Sequence, residues 1–467
     1  MALIKNGGPS ILEDKEKLKR MIKIVIVLLV ILLIANIALI FAVYYVDLQT
    51  LKISINGQKV KDLPDDLFIF EESGDIYVAI KSFSSIIGYK TQNGGYKDYS
   101  ESLDECYIEN DNEVAEFSLD SNRITKYNKN TNTYEYFDIQ KPVKRINEAL
   151  YVNVEGISIG DNIRMSFNKE SNKLDIITLE YYAQTKITEF EKLKYKSALN
   201  TTEGQKIEDT SYFNNLKAIL YNMMVVKDTE GRLGVCDLSG KEIIGTKYKS
   251  IEFIESSKDF IVQTEEGKVG IISKEASFII RPEYDSIKQM DSNLGLYIVT
   301  TNQKEGVVDK NGKIIIYPEY DMIGIENFKD YKVLKNQYLL FDKYVPVSQN
   351  NKWGWIDVET GKKIRSIQFD DLGCRNNYTT EITADPVLII PDYEAIVVKV
   401  EDKSTNKNEE NYYILKITGE VLINEKLDRV YSITSSGTRQ YYMSIGDKTN
   451  IDIEQYLTDK GILKVNY

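Results

Sequence analysis

The stretch GKVGIISKEASFIIRPEYDSI, Gly267 to Ile287, is followed by KEGVVDKNGKIIIYPEYDMI, Lys304 to Ile323, and this pair decides how the second half of the chain folds. Two further copies flank them, GRLGVCDLSGKEIIGTKYKSI (Gly231 to Ile251) and NKWGWIDVETGKKIRSIQFDDL (Asn351 to Leu372). Gly234, Gly270, Gly306 and Gly354 are separated by 36, 36 and 48 residues, while Tyr248, Tyr284, Tyr320 and Phe369 lie 14, 14, 14 and 15 residues downstream of them. The interior of each unit is therefore held while one connection has grown, the mark of a repeat architecture. Weaker copies follow from Ala395 to Ile433 and from Tyr441 to the end.

Each unit reads as a strand, a turn and a returning strand. In the turns DLSG, DKNG and VETG an Asp or Asn bonds its own backbone and Gly takes positive φ. Ala276 replaces that glycine in one unit, so its turn is expected to be strained or of another type. One hairpin cannot bury both faces, so the six units stack or close on one another. About 41 residues per unit suits a blade, and a propeller-like arrangement is favoured over an open β-solenoid.

The series resembles the WG-repeat family, whose signature is a Trp-Gly dipeptide, a Gly turn and a strand ending in a Pro-x-Tyr-Asp run. KWGWIDVETGKKI keeps the dipeptide, and RPEYDSI and YPEYDMI keep the ending. The resemblance spans 223–467 and implies a β-repeat domain with no catalytic mechanism. Trp353 occupies the slot of Leu233, Val269 and Glu305, and Trp355 that of Val235, Ile271 and Val307. Positions two apart on a strand share a face, so Trp355 is expected in the core. Trp353, Tyr284 and Tyr320 are the candidate ligand surface, since Tyr and Trp combine a large apolar body with a polar tip.

The N-terminal part is organised differently. Ile24 to Val46 is an apolar run of 23 residues with Asn36 as its one strongly polar member, about 34 Å as a helix and enough to cross a bilayer. It is too long for a signal-peptide core and lacks a clean cleavage site. Lys5, Lys15, Lys17, Lys19, Arg20 and Lys23 precede it, which places residues 1–22 in the cytoplasm and the remainder outside, with 23–46 as a signal anchor. Ser10 and Glu13 have capping-box spacing.

After the span, LKISINGQKV reads as a hairpin turning at Asn56-Gly57. DIYVAIKSFSSIIGYK reads as a strand entering a short helix that ends at Gly88, and ALYVNVEGISIG repeats its opening 74 residues later. Residues 51–180 resemble the copper amine oxidase N-terminal-like, or stalk, domain of bacterial surface proteins. The resemblance implies a small α+β spacer and no copper, since copper in the oxidases is held by histidines of a separate domain. Residues 181–222 are charged and read as a linker, with Phe190 and Leu193 the candidates for a short docking helix.

Composition narrows the chemistry. Histidine is absent, which excludes Ser-His-Asp, Cys-His and zinc-protease mechanisms. Outside residues 1–46 there are 53 basic and 68 acidic side chains, a net −15 that repels nucleic acid. The three cysteines are too few for a disulfide scaffold, and spacing does not pair Cys236 with Cys374. The DKNG turn mimics an EF-hand start through Asp309, Asn311 and Gly312, but Tyr320 stands where a glutamate is needed. Glu319 with Asp321, or Asp370 with Asp371, supply the carboxylates of an alternative, a cell-wall glycan hydrolase, although adjacency alone does not separate their pKa values. The expectation is a mainly β, membrane-anchored, non-catalytic protein of the bacterial envelope. It takes no metal or cofactor, and its partner is an envelope protein or cell-wall component.

Overall fold

A computed structural model describes residues 11–49, 51–60, 63–64, 66–71, 73–96, 102–129, 133–190, 196–197, 199, 210–325, 338–375, 384–402, 409–435 and 438–463. The Ser10–Glu13 capping box and Leu193 lie outside the residues whose side chains are described. The protein is mainly β, and it divides into two compact units, Met1–Leu63 with Met165–Ile177, and Pro64–Arg164 with Thr178–Tyr467.

The first unit begins with helix α1, Ile11–Gln49. Its 39 residues extend about 58 Å. The apolar side chains from Met21 to Ile34 stand exposed, and Asn36 donates its Nδ2 to Leu32 O at 2.8 Å within the helix. By length and composition the helix suffices to cross a membrane. The strand Lys52–Ile55 then turns into Gln58–Lys59 through Asn56 and Gly57. Both turn residues have positive φ, 51° and 77°, as a two-residue hairpin requires. Lys52–Ile55 also pairs in parallel with Lys173–Thr178.

The second unit contains the repeated strand-into-helix pattern. Ile76–Ala79 leads into α2, Ile80–Ile86, and Ala149–Asn153 leads into α3, Val154–Gly160. The two strands pair antiparallel, Val152 opposite Val78, so the copies face each other. Gly156 and Gly160, weak helix formers, are there for space. A Cβ on Gly156 would lie 2.2 Å from Val152 Cγ2, and one on Gly160 would lie 2.5 Å from Phe117 Cζ. Phe117 belongs to a five-stranded antiparallel meander whose strands run Lys90–Asn93, Glu105–Glu109, Glu113–Ser118, Arg123–Asn128 and Thr133–Asp138.

Across 181–222, expected as a linker, two helices are folded, α4 (Leu179–Phe190) and α5 (Thr210–Leu220). Leu179, Ala183, Ile187 and Phe190 fall on one helical face and pack with Phe213, Leu216 and Ile219 against Met224 and Cys236 of the first repeat sheet. The charges of α4, Glu180, Lys186 and Glu189, lie off this stripe and conceal it.

The repeats form six successive sheets, most with four strands, in which neighbouring strands pair antiparallel. The first contains 223–227, 233–237 and 242–248, the second runs from 250 to 284, the third from 286 to 320 and the fourth from 322 to 369. The fifth is built on 371–372, 395–402, 409–416 and 421–427, and the sixth on 429–435, 438–445 and 448–452. The sixth takes one further strand, Asp385–Pro386, from within the fifth sheet's sequence, and is followed by helix α6, Ile453–Asp459. Each sheet is a blade-like unit, and apolar cores lie between successive ones. The longer Gly306-to-Gly354 spacing comes from a connection that opens after Gly324. Cys106, Cys236 and Cys374 are buried free thiols.

Candidate functional site

The repeat glycine is dictated by backbone contact. A Cβ on Gly270 would lie 2.6 Å from Ile280 O and 2.7 Å from Pro282 N, and one on Gly306 would lie 2.5 Å from Ile316 O and 2.6 Å from Pro318 N. Gly234 and Gly354 meet the facing strand in the same way. At each of these places the register shifts, with Glu305 opposite Tyr320 but Val307 opposite Ile316. This bulge admits proline, whose missing N–H removes nothing from an interrupted ladder. The fifth sheet departs from the pattern: Tyr412 faces Leu427, with Tyr413 next in sequence where the others carry glycine.

The turns follow the same rule. Asp309 Oδ1 accepts from the backbone N–H of Asn311 and Lys313 at 2.8 and 2.9 Å, and Gly312 has φ 78°. What resembles a calcium loop is thus a closed Asx turn. Ala276 adopts φ 64°, the strained alternative of the two expected, at a cost of about 1–2 kcal/mol.

The aspartate after Tyr284, Tyr320 and Phe369 joins one sheet to the next, whereas Tyr248 is followed by Lys249. Asp285 accepts from Lys268 Nζ at 2.7 Å in its own sheet and from Asn302 N at 2.7 Å in the following one. Asp321 repeats this with Lys304 and Asn350, and Asp370 with Lys352 and Glu401. Asp428 accepts from Gly446 N of the sixth sheet at 2.6 Å. The carboxylates singled out for hydrolysis are all engaged: Asp321 and Asp370 in these joints, Glu319 by Lys363 at 3.1 Å and Asp371 by Arg375 at 3.1 Å. The hydrogen bond from Lys363 holds Glu319 below the ordinary carboxylate range, and the hydrogen bonds from Lys304 and the Asn350 amide do the same for Asp321. A general acid needs the opposite shift.

Trp355 is fully buried between the fourth and fifth sheets, where its Nε1 donates to Ile417 O at 2.7 Å and its ring stacks on Phe369 at 5.7 Å. Val235, Ile271 and Val307 fill the same slot at 0% exposure. Trp353 packs half-buried against that core, opposite Phe369. Tyr284 is likewise half-buried. Tyr320 corrects the expectation of a surface residue: only 1% exposed, it fills the core between the third and fourth sheets. Its strand alternates, so the outward position falls to Tyr317, 70% exposed.

Sequence reasoning missed a buried cluster of four charges. Glu113 and Lys126 project from the five-stranded sheet, Lys217 from α5 and Glu255 from the turn after Ser250–Ile254, each side chain only 3–4% exposed. Lys126 Nζ lies 2.7 Å from Glu113 and 3.2 Å from Glu255, while Lys217 Nζ lies 3.0 Å from Glu113 and 2.8 Å from Glu255. Asn162 donates to Glu113 at 2.6 Å and accepts from Lys126 at 2.7 Å, and Tyr221 donates to Glu255 at 3.1 Å. Burial alone would raise both carboxyls, but the two ammoniums outweigh it and hold them below the ordinary value. The two carboxylates in turn overcome the effect of burial on Lys217 and raise it. Neighbouring Glu135, without such a direct pairing, is pushed by burial to about 7.

The closed square joins the five-stranded sheet, α5 and the second repeat sheet where they meet. One signal was available in the sequence: Lys217 stands four residues after Phe213 on the apolar period of α5. Among the described residues no group of three or more acidic or cysteine side chains could hold a metal ion.

No curated protein matches the chain significantly. Solved structures similar in part include a eukaryotic initiation factor, at 9% identity over 73% of this chain and 89% of that one, with a TM-score of 0.26. BamB from Moraxella catarrhalis is similar at 12% identity over 48% and 80%, TM-score 0.20, and the WD40 domain of Toxoplasma gondii coronin at 11% over 50% and 67%, TM-score 0.20. Residues 270–304 and 306–330, which begin at two of the bulge glycines, match the family described as WG containing repeat.

Proposed function

We propose that this protein is a membrane-anchored, non-catalytic scaffold whose WG-type repeats present a binding surface to an envelope protein or cell-wall ligand. The observation that carries the reading is the use of the repeat carboxylates. Asp285, Asp321 and Asp370 each join successive sheets, which engages these repeated acids in structural roles. The basic flank of α1 favours a cytoplasmic N-terminus, with the repeats outside the membrane. On this reading 51–180 acts as the stalk that holds the repeats away from the bilayer, and Trp353 is the best-placed aromatic for a ligand.

Chemical crosslinking of the full chain in its native membrane, followed by mass spectrometry, tests the reading. Reproducible crosslinks from the repeat sheets to one envelope component, lost in a Trp353→Ala variant, are the expected result. Absence of any such partner would remove the binding role. Release of soluble fragments from purified wall material by the detergent-solubilised chain would replace it with a glycan hydrolase.

A further inference from the structure

We infer that the basic end of α1 is a binding surface for anionic phospholipid headgroups, an inference that rests on the membrane-spanning reading of that helix. Helix α1 continues unbroken from Ile11 through the apolar run, so the side chains before Ile24 are held at fixed heights above the hydrocarbon boundary. Lys17, Lys19, Arg20 and Lys23 are all exposed. At 1.5 Å per residue they lie within about 11 Å of Ile24, roughly one Debye length in moderate salt. The acidic residues of this end, Glu13, Asp14 and Glu16, all come earlier in the chain. The charge nearest the boundary is therefore wholly positive.

The angular spread selects the partner. At 100° per residue the four cations cover an arc of about 160° around the helix, wider than the stripe of about 100° along which one packed helix makes contact. Lipid headgroups surround a single helix and meet cations in every direction, whereas a protein partner meets one side. Long Lys and Arg stems let the charged ends reach the phosphate layer while their methylenes stay against apolar surface. Anionic headgroups gain from this arrangement and zwitterionic ones do not.

The test uses the full chain reconstituted in phosphatidylcholine vesicles, with trace spin-labelled phosphatidylglycerol or phosphatidylcholine reporting lipid held at the protein surface. Orientation in the vesicle does not matter, because both leaflets have the same composition. The native chain is expected to prefer phosphatidylglycerol by about fivefold at low salt, with the preference collapsing at about 0.5 M salt. The K17Q/K19Q/R20Q/K23Q variant, which keeps good helix formers, is expected to bind both labels equally, with helix content unchanged by circular dichroism. Equal binding of both labels by the native chain, or a preference that survives in the variant, overturns the inference. A chain that fails to float with the vesicles overturns the membrane span as well, which separates the two failures.

Discussion

Two regions of this protein join Lys to carboxylate in opposite surroundings. Along the repeat sheets two of the pairs are open to water, Lys268 with Asp285 at 42% and 43% exposed and Lys304 with Asp321 at 39% and 41%. Between the five-stranded sheet, α5 and the second repeat sheet the same chemistry is only 3–4% exposed. The exposed joints are short-range fasteners added to apolar cores that already hold the sheets. The buried square must be complete or be a liability, because any one missing partner leaves two like charges out of water sharing a single counterion.

The largest effect that would break this comparison is Lys217→Met. It leaves Glu113 and Glu255 sharing Lys126, and about 3–5 kcal/mol should be lost in urea denaturation of the detergent-solubilised chain at neutral pH. The carboxyls of that variant should take up protons more readily, so part of the loss should return as pH is lowered toward 5. In the native chain their depressed pKa values act with the opposite sign: stability is present above the unfolded value, near 4.5, and is lost as pH falls through the lower folded values.

Next in size is Gly306→Ala, which sets a methyl against the Ile316 carbonyl and Pro318 nitrogen. A loss of about 1–3 kcal/mol is expected from thermal unfolding, whereas a neutral result would show that the bulge is not a fixed requirement. Glu135→Gln sharpens the account of the buried cluster. The raised folded pKa of about 7 means that the native chain is penalised above pH 7, progressively less toward 4.5, and not below it. The variant should therefore gain on the order of 1 kcal/mol at pH 8 and nothing at pH 4.5, as read from denaturation midpoints. Asp285→Asn should have the smallest effect, a slight decrease in midpoint that vanishes at high salt. A large, salt-independent loss would erase the distinction between the two kinds of joint.

Much of the repeat region was legible because its constraints are local. The bulge glycine, the turn and the strand-end aromatic recur within 15 residues in the first four copies, and each reflects backbone geometry local to its copy. Trp355 was readable as core from Val235, Ile271 and Val307 in the same slot. Tyr320 was misassigned to the surface because repeat position does not by itself tell which face of a strand is covered. In 181–222 only a short docking helix at Phe190 and Leu193 was anticipated, because charge obscures the longer helical period of Leu179, Ala183, Ile187 and Phe190.

The sequence by itself determined the membrane-length helix, the β-repeat and its turns, and the hairpin at Asn56-Gly57, since each depends on neighbours within a few residues. Only the tertiary structure decided that Glu113, Lys126, Lys217 and Glu255 meet, that Gly160 makes room for Phe117, and that each repeat aspartate reaches into the following sheet. Those contacts link residues far apart in the chain. Burial, which converts an ordinary Lys–Glu pair into a joint that must be complete, is a property of the packed fold and of no short segment.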